Sequence, residues 1–150
     1  IVGDVRHSRV AHSTIHALHT LGTTDIRVIG PDRFLPENPQ ALGVQTSDDI
    51  AAGLAGADVV MGLRIQRERI NGDALEGVAD YHQQFGLTTA NLAHAKSDAL
   101  IMHPGPINRG VEINADIAYG NQSVILEQVT NGIAIRMAVM AIIAGNRNAR

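Results

Sequence analysis

A guanidinium and a side-chain amide two residues apart, Arg64 and Gln66, follow the apolar run Asp58-Val59-Val60-Met61-Gly62-Leu63. On an extended segment alternate residues point the same way, so the pair suits bidentate capture of a carboxylate. Taken alone, the row Arg64, Arg67, Arg69 is a solvated charge run first and a site second. Arg9 is a further cation, at the start of an apparent helix, where the helix dipole and the guanidinium both favour an anion. By itself it reads as a solvated arginine. The fourth candidate is the loop His103-Pro104-Gly105-Pro106-Ile107-Asn108-Arg109-Gly110, directly after the apolar run Ala99-Leu100-Ile101-Met102. Its prolines carry no N–H and hold their own φ, so the loop offers mainly carbonyl oxygens in fixed directions. Alone, it reads equally as a stiff strand-to-helix connection. His12, His16 and His19 share one helix face at spacings a metal pair uses, with His7 near, but no Glu, Asp or Cys supplies an obvious third ligand, so a partly exposed polar face is the plainer reading.

The elements that must position these groups alternate along the chain. Ile1-Val2 is the end of a strand, and a turn through Gly3-Asp4 leads to a helix from about Ser8 to Leu21, closed by Gly22. Asp25–Ile29 reads as a strand, and 32–44, with Pro36 and Pro39, as an irregular connection with at most a short helix. Ser47 is expected to cap a helix running to about Ala55. Asp58–Leu63 reads as a strand buried on both faces, followed by a mobile stretch over 70–77. Helices are expected at Val78–Phe85 and from Thr88 or Thr89 to about Lys96. The strand Ala99–Met102 and a long helix from about Gln122 to Ala144 complete the set. Steady alternation predicts an α/β fold, doubly wound, with a mainly parallel, Rossmann-like sheet and helices on both faces. Right-handed crossovers then bring Arg9, Arg64, Gln66 and the proline loop to one edge, where ligands of such sheets bind.

Composition narrows the function. One hundred and fifty residues suit one domain. A formal charge of −3 and a pI near 6.1 give no electrostatic reason to expect nucleic acid or an anionic membrane as partner. There is no cysteine for a disulfide, thiolate metal site or nucleophile, which agrees with a reducing compartment. With no cleavable leader and no uninterrupted apolar run near 20 residues, a soluble, cytoplasmic protein without a membrane partner is expected. Two features suggest a fragment: the opening Ile1-Val2-Gly3-Asp4, as of a strand entered near its end, and Ile133–Ala144, where Arg136 is the only charge. Such a helix needs cover on a second face, or is a central core helix of this domain. Gly3 stands without the remaining glycines of G-x-G-x-x-G, which argues against a nucleotide-binding regulatory domain.

Taken together, Ile1–Asp4 with His7-Ser8-Arg9-Val10-Ala11-His12-Ser13, then Arg64–Arg69, then His103–Glu112, then Ser123–Gly132, resemble the catalytic chain of aspartate carbamoyltransferase. The sister ornithine enzyme has His-Cys-Leu-Pro where this chain has His103-Pro104-Gly105-Pro106, so the aspartate branch is favoured. The resemblance covers all of residues 1–150, but only the second, aspartate-binding half of the family's chain. The first half, with the loop holding the phosphate of carbamoyl phosphate, is absent. The resemblance implies carbamoyl transfer from carbamoyl phosphate to L-aspartate in pyrimidine synthesis, with no metal or organic cofactor. It implies a homotrimer whose neighbouring subunit completes the site, and so no catalysis by 1–150 alone. Arg9 would hold the α-carboxylate of aspartate, and Arg64 with Gln66 the side-chain carboxylate. His103 would start the loop, and the carbonyls of Pro104 and Gly105, before a cis Gly105-Pro106 bond, would accept carbamoyl N–H groups. Arg69 would pair with the absent domain on closure, Asn71–Gly86 would swing inward over substrate, and the terminal helix would fold against the absent domain. Some chains of the family serve as structural partners of dihydroorotase, and a regulatory chain is a further possible partner. A non-catalytic assembly module is therefore the rival reading.

Overall fold

The computed structural model describes residues 1–65 and 78–147. Its strands are short and parallel. β1 (Arg27–Ile29) pairs with β2 (Gln45–Ser47), and β3 (Val59–Met61) pairs with β4 (Leu100–Met102). Val2 joins the two pairs, bridging Ile29 on one side and Gly62 on the other, and Ser123 adds a bridge outside Ile101. In space the order is β2, β1, Val2, β3, β4, Ser123. The chain therefore starts in the middle of the sheet, builds outward to one edge, and returns to build the other half. This is the doubly wound α/β arrangement expected from the alternating pattern, and its topological switch point lies between Val2 and β3.

Side-chain alternation divides the core into two layers. Val28, Met61 and Leu63 face Ala11 and Ile15 of helix α1 (Arg9–Thr20), together with Val5 and Ile26. Ile29, Val60 and Ile101 face the other way, onto Ile50 and Leu54 of α3 (Ile50–Leu54) and Tyr81 and Phe85 of α4 (Val78–Phe85). α1 begins where Ser8 accepts the Ala11 N–H at 3.1 Å, and Gly22 follows its end at φ 86°, as a closing glycine does. Between β1 and β2 lie a 3-10 turn (Asp32–Phe34) and α2 (Pro39–Leu42).

Three expectations need correction. Ser47 is not a helix cap but the last residue of β2; Asp49 caps α3, accepting the Ala51 and Ala52 N–H groups at 2.8 and 3.3 Å. β2 is an edge strand of polar, largely exposed residues, so no apolar alternation marked it. The helix begun by Thr88 is also shorter than expected, α5 covering only Thr89–Leu92, and the single turn α6 (Ala115–Ala118) was not anticipated. Finally, β3 is not buried on both faces throughout. Val59 and Leu100, paired in register, are 47% and 45% exposed, because α1 covers only the half of its face nearer β1.

α7 (Ile125–Arg147) is the longest element. Ile125 is in the core, but from Ile133 to Gly145 every residue is exposed, with Ile135, Met137, Met140 and Ile142 each above 60%. A central core helix is thereby excluded. Length and averaged composition over Ile125–Gly145 would let α7 cross a membrane, a property that a search for uninterrupted apolar runs overlooks. Arg136 sits near the middle of that span and would cost about 2.5–3.5 kcal/mol there.

Candidate functional site

Val2 and the end of β3 meet closely at the switch point. Val2 donates to the Met61 carbonyl at 2.8 Å and Leu63 donates back to that of Val2 at 2.9 Å. Gly3 then turns at φ 128°, where a Cβ would lie 3.0 Å from Leu63 Cβ and 3.2 Å from Leu63 O. Only glycine fits both the conformation and the approach. Asp4, 3% exposed, accepts the His7 backbone N–H at 3.2 Å and lies 2.9–3.0 Å from His7 Nδ1 through its two oxygens. The carboxylate closes the turn that delivers Ser8 and Arg9 to the start of α1. Arg9 is exposed at the first position of that helix, above the carboxyl ends of the strands.

Beside it, Arg64 leaves the end of β3 half-buried, held by Ile65, which is 2% exposed. Gln66, Arg67 and Arg69 lie outside the described residues. So do residues 71–77 of the expected mobile loop Asn71–Gly86, whose remainder is chiefly α4, a helix that sends Tyr81 and Phe85 into the core at 3% and 5% exposure. The Tyr81 phenol is pushed above its usual range by burial first, then by the carboxylates of Glu112 and Asp4. It is close enough to both acids to feel them.

The proline loop leaves β4 next to this edge. Gly62 donates to the Met102 carbonyl at 2.9 Å, and a Cβ on Gly62 would come within 3.3 Å of the His103 ring. His103 is fully buried; its N–H donates to Gln128 Oε1 of α7 at 3.0 Å, and its Nδ1 accepts the Gly105 N–H at 2.9 Å. Gly105 has φ 67° and its bond to Pro106 is cis. Pro104 and Pro106 have no N–H, and that of Gly105 is used internally. Among the described residues no hydrogen bond engages the carbonyls of Pro104, Gly105 or Pro106. The segment is thus a cluster of oxygens with nothing left to donate, shaped for a ligand rich in N–H.

Beyond the loop, Asn108 donates its backbone N–H to Glu112 Oε1 and its side-chain amide to the Ile65 carbonyl at 3.4 Å. Arg109 donates to Tyr119 Oη at 2.8 Å. Arg9, Arg64 and the loop segment His103, Pro104, Gly105, Pro106 therefore occupy one rim. Asp4, Glu112, Asn108 and Gln128, which hold it together, were not singled out in the sequence. The signal available was a lone carboxylate within an apolar stretch, as in Gly3-Asp4-Val5 and Val111-Glu112-Ile113. His19 bonds the Leu42 carbonyl at 2.8 Å, a strut between α1 and α2, and among the described residues no three His or acids form a group that would hold a metal.

A family model described as aspartate/ornithine carbamoyltransferase, Asp/Orn binding domain, matches residues 1–143. The structure is similar to ornithine carbamoyltransferase from Pyrococcus furiosus, with TM-score 0.76 and 26% identity over 93% of this chain and 47% of that one. It is similar in fold to aspartate transcarbamoylase from Trypanosoma cruzi, with TM-score 0.73 and 23% identity over 93% and 47%. The fold is also that of anabolic ornithine carbamoyltransferase from Campylobacter jejuni, with TM-score 0.80 and 17% identity over 97% and 50%. The chain spans about half the length of these proteins. By the match over 1–143, through most of α7, on a sheet wound to bring two arginines and a carbonyl loop to one rim, the chain belongs to the aspartate/ornithine carbamoyltransferase family as its Asp/Orn-binding domain.

Proposed function

We propose that this chain is the aspartate-binding half of an aspartate carbamoyltransferase, which forms N-carbamoyl-L-aspartate and phosphate. The observation that carries this reading is Arg64 at the carboxyl end of β3, beside a loop that offers only acceptors. Aspartate brings two carboxylates, and Arg9 and Arg64 supply two guanidinium forks, with Gln66 as a further donor to the side-chain carboxylate. Ornithine would bring an ammonium to Arg64 instead, a like-charge contact in a half-buried position. The chain also has no cysteine for the ornithine enzyme's His-Cys-Leu-Pro motif.

In the reaction the amine of aspartate attacks the carbamoyl carbon. A C–N bond forms, a tetrahedral intermediate collapses, the C–O bond to phosphate breaks, and the amine loses a proton. The chain's contribution is to hold both reactants in place. Arg9 and Arg64 fix the amino acid, while the Pro104 and Gly105 carbonyls accept the carbamoyl N–H groups and turn its carbon toward the amine. The carbamoyl-phosphate domain, the trimer and closure through Arg69 belong to the same proposal. The exposed apolar flank of α7 supports it, since a protein surface is the cover that such a helix needs.

The test is to join the chain to a carbamoyl-phosphate-binding half and assay both amino acids. Carbamoylaspartate without citrulline is the expected result. Citrulline would move the chain to the ornithine branch, and no product from a trimeric, folded assembly would favour a non-catalytic partner of dihydroorotase.

A further inference from the structure

Burying a carboxylate is costly unless its oxygens are used, and Glu112 is 2% exposed between the core residues Val111 and Ile113. Its Oε1 accepts the Asn108 N–H and lies 3.5 Å from His103 Nε2. Because His103 Nδ1 already accepts the Gly105 N–H, the ring proton belongs on Nε2, the edge facing Glu112. One carboxylate oxygen thus bonds the Asn108 end of the segment 103–108 and faces the His103 end at 3.5 Å without a hydrogen bond, and the middle of that segment is the acceptor-only Pro104-Gly105-Pro106. Asn108 extends the connection, since its side-chain amide reaches the carbonyl of Ile65, next to Arg64. The other oxygen, Oε2, has no hydrogen-bond partner among the described residues. An apolar residue would fill this core position without that penalty, so the acid's use lies in the Asn108 N–H it accepts and the His103 edge it faces.

We propose that Glu112, acting through His103 and Asn108, is a positioning residue that fixes the carbonyl face of the proline loop relative to the Arg64 end of β3. The inference rests on the reading of that rim as the site where amino acid and carbamoyl group meet. Both reactants are gripped by different segments, and the distance between them is set by whatever joins those segments. Among the described residues, the Glu112–Asn108–Ile65 connection is a hydrogen-bonded route from the far end of the loop to β3's exit, beside the Gly62–Met102 bond at its near end.

Two measurements test it, one independent of activity. In this chain, hydrogen exchange of the Asn108 backbone N–H should be slow, remain slow in Glu112→Gln, which still presents an oxygen to that donor, and become fast in Glu112→Val. Unchanged exchange at Asn108 in Glu112→Val would overturn the connection. In the chain joined to a carbamoyl-phosphate-binding half, Glu112→Val should lower kcat by about tenfold or more, as misplaced reactants do. Glu112→Gln should recover most of that loss. Asn108→Ala, which removes only the tie to Ile65, should raise KM for the amino acid with a smaller change in kcat. Kinetics within twofold of the parent for both Glu112→Val and Asn108→Ala would overturn the positioning role. An inactive parent assembly would instead count against the functional reading, leaving the exchange experiment to decide the connection.

Discussion

Arg64 is where the proposed chemistry depends most on the kind of cation rather than its charge. A carboxylate held by a guanidinium gains two parallel hydrogen bonds that an ammonium cannot make. Arg64→Lys is therefore expected to raise KM for aspartate by about tenfold in the joined enzyme, with Arg64→Ala worse. Equal steady-state kinetics for arginine and lysine would remove the bidentate grip. Tyr81 allows a prediction without any substrate. Its hydroxyl is buried with no hydrogen-bond partner among the described residues, and the phenol titrates above its usual 10.0 because of burial and the nearby Glu112 and Asp4 charges. Above that pH the unfolded chain releases the proton while the folded one keeps it, so stability is unaffected below about pH 10 and falls as pH rises beyond it. Tyr81→Phe should leave the thermal midpoint at neutral pH unchanged or raised, and flatten the alkaline fall. A loss of several degrees at neutral pH would mean that the hydroxyl has a partner.

At the level of elements, the turn from Val2 into α1 is the joint on which Arg9 depends. Gly3→Ala would put a Cβ 3.0 Å from Leu63 Cβ at φ 128°, a conformation side chains rarely adopt. A cost of about 1–3 kcal/mol is expected from the backbone strain alone, read by urea unfolding. A neutral result would show that the two strand ends separate easily, contrary to their mutual hydrogen bonds. Elements with a strong periodic signal were legible in the sequence. α1 was foreseen from the turn before it and the closing Gly22, and the structure adds the Ser8 cap and the core-facing Ala11 and Ile15. The cis Gly105-Pro106 bond was expected from the family resemblance and is present. β2 and α6 were not legible: Gln45-Thr46-Ser47 is a polar edge and Ala115–Ala118 a single turn, and neither carries enough apolar contrast to register.

Over the whole molecule, the sheet and its two core layers account for the compact part, and α7 stands away from it. Its exposed isoleucines and methionines, with Val59 and Leu100 on the sheet, form more apolar surface than an isolated soluble domain leaves bare. The chain by itself should associate as its concentration rises in sedimentation experiments, and replacing Ile135 and Ile142 by glutamate should suppress this. A strict monomer at all concentrations would show that α7 needs no cover. What the sequence determined alone was local: helix starts and stops, the run of acceptors forced by two prolines, and arginines at strand ends. These follow from the bonding capacity and backbone freedom of each residue, which are the same before and after folding. Only the tertiary structure decided that Asp4 and Glu112 are interior struts, that β2 is a strand, and that α7 is bare. Burial depends on which distant segments come together, and for a single acid or a uniformly apolar helix that information is not carried by its neighbours in the chain.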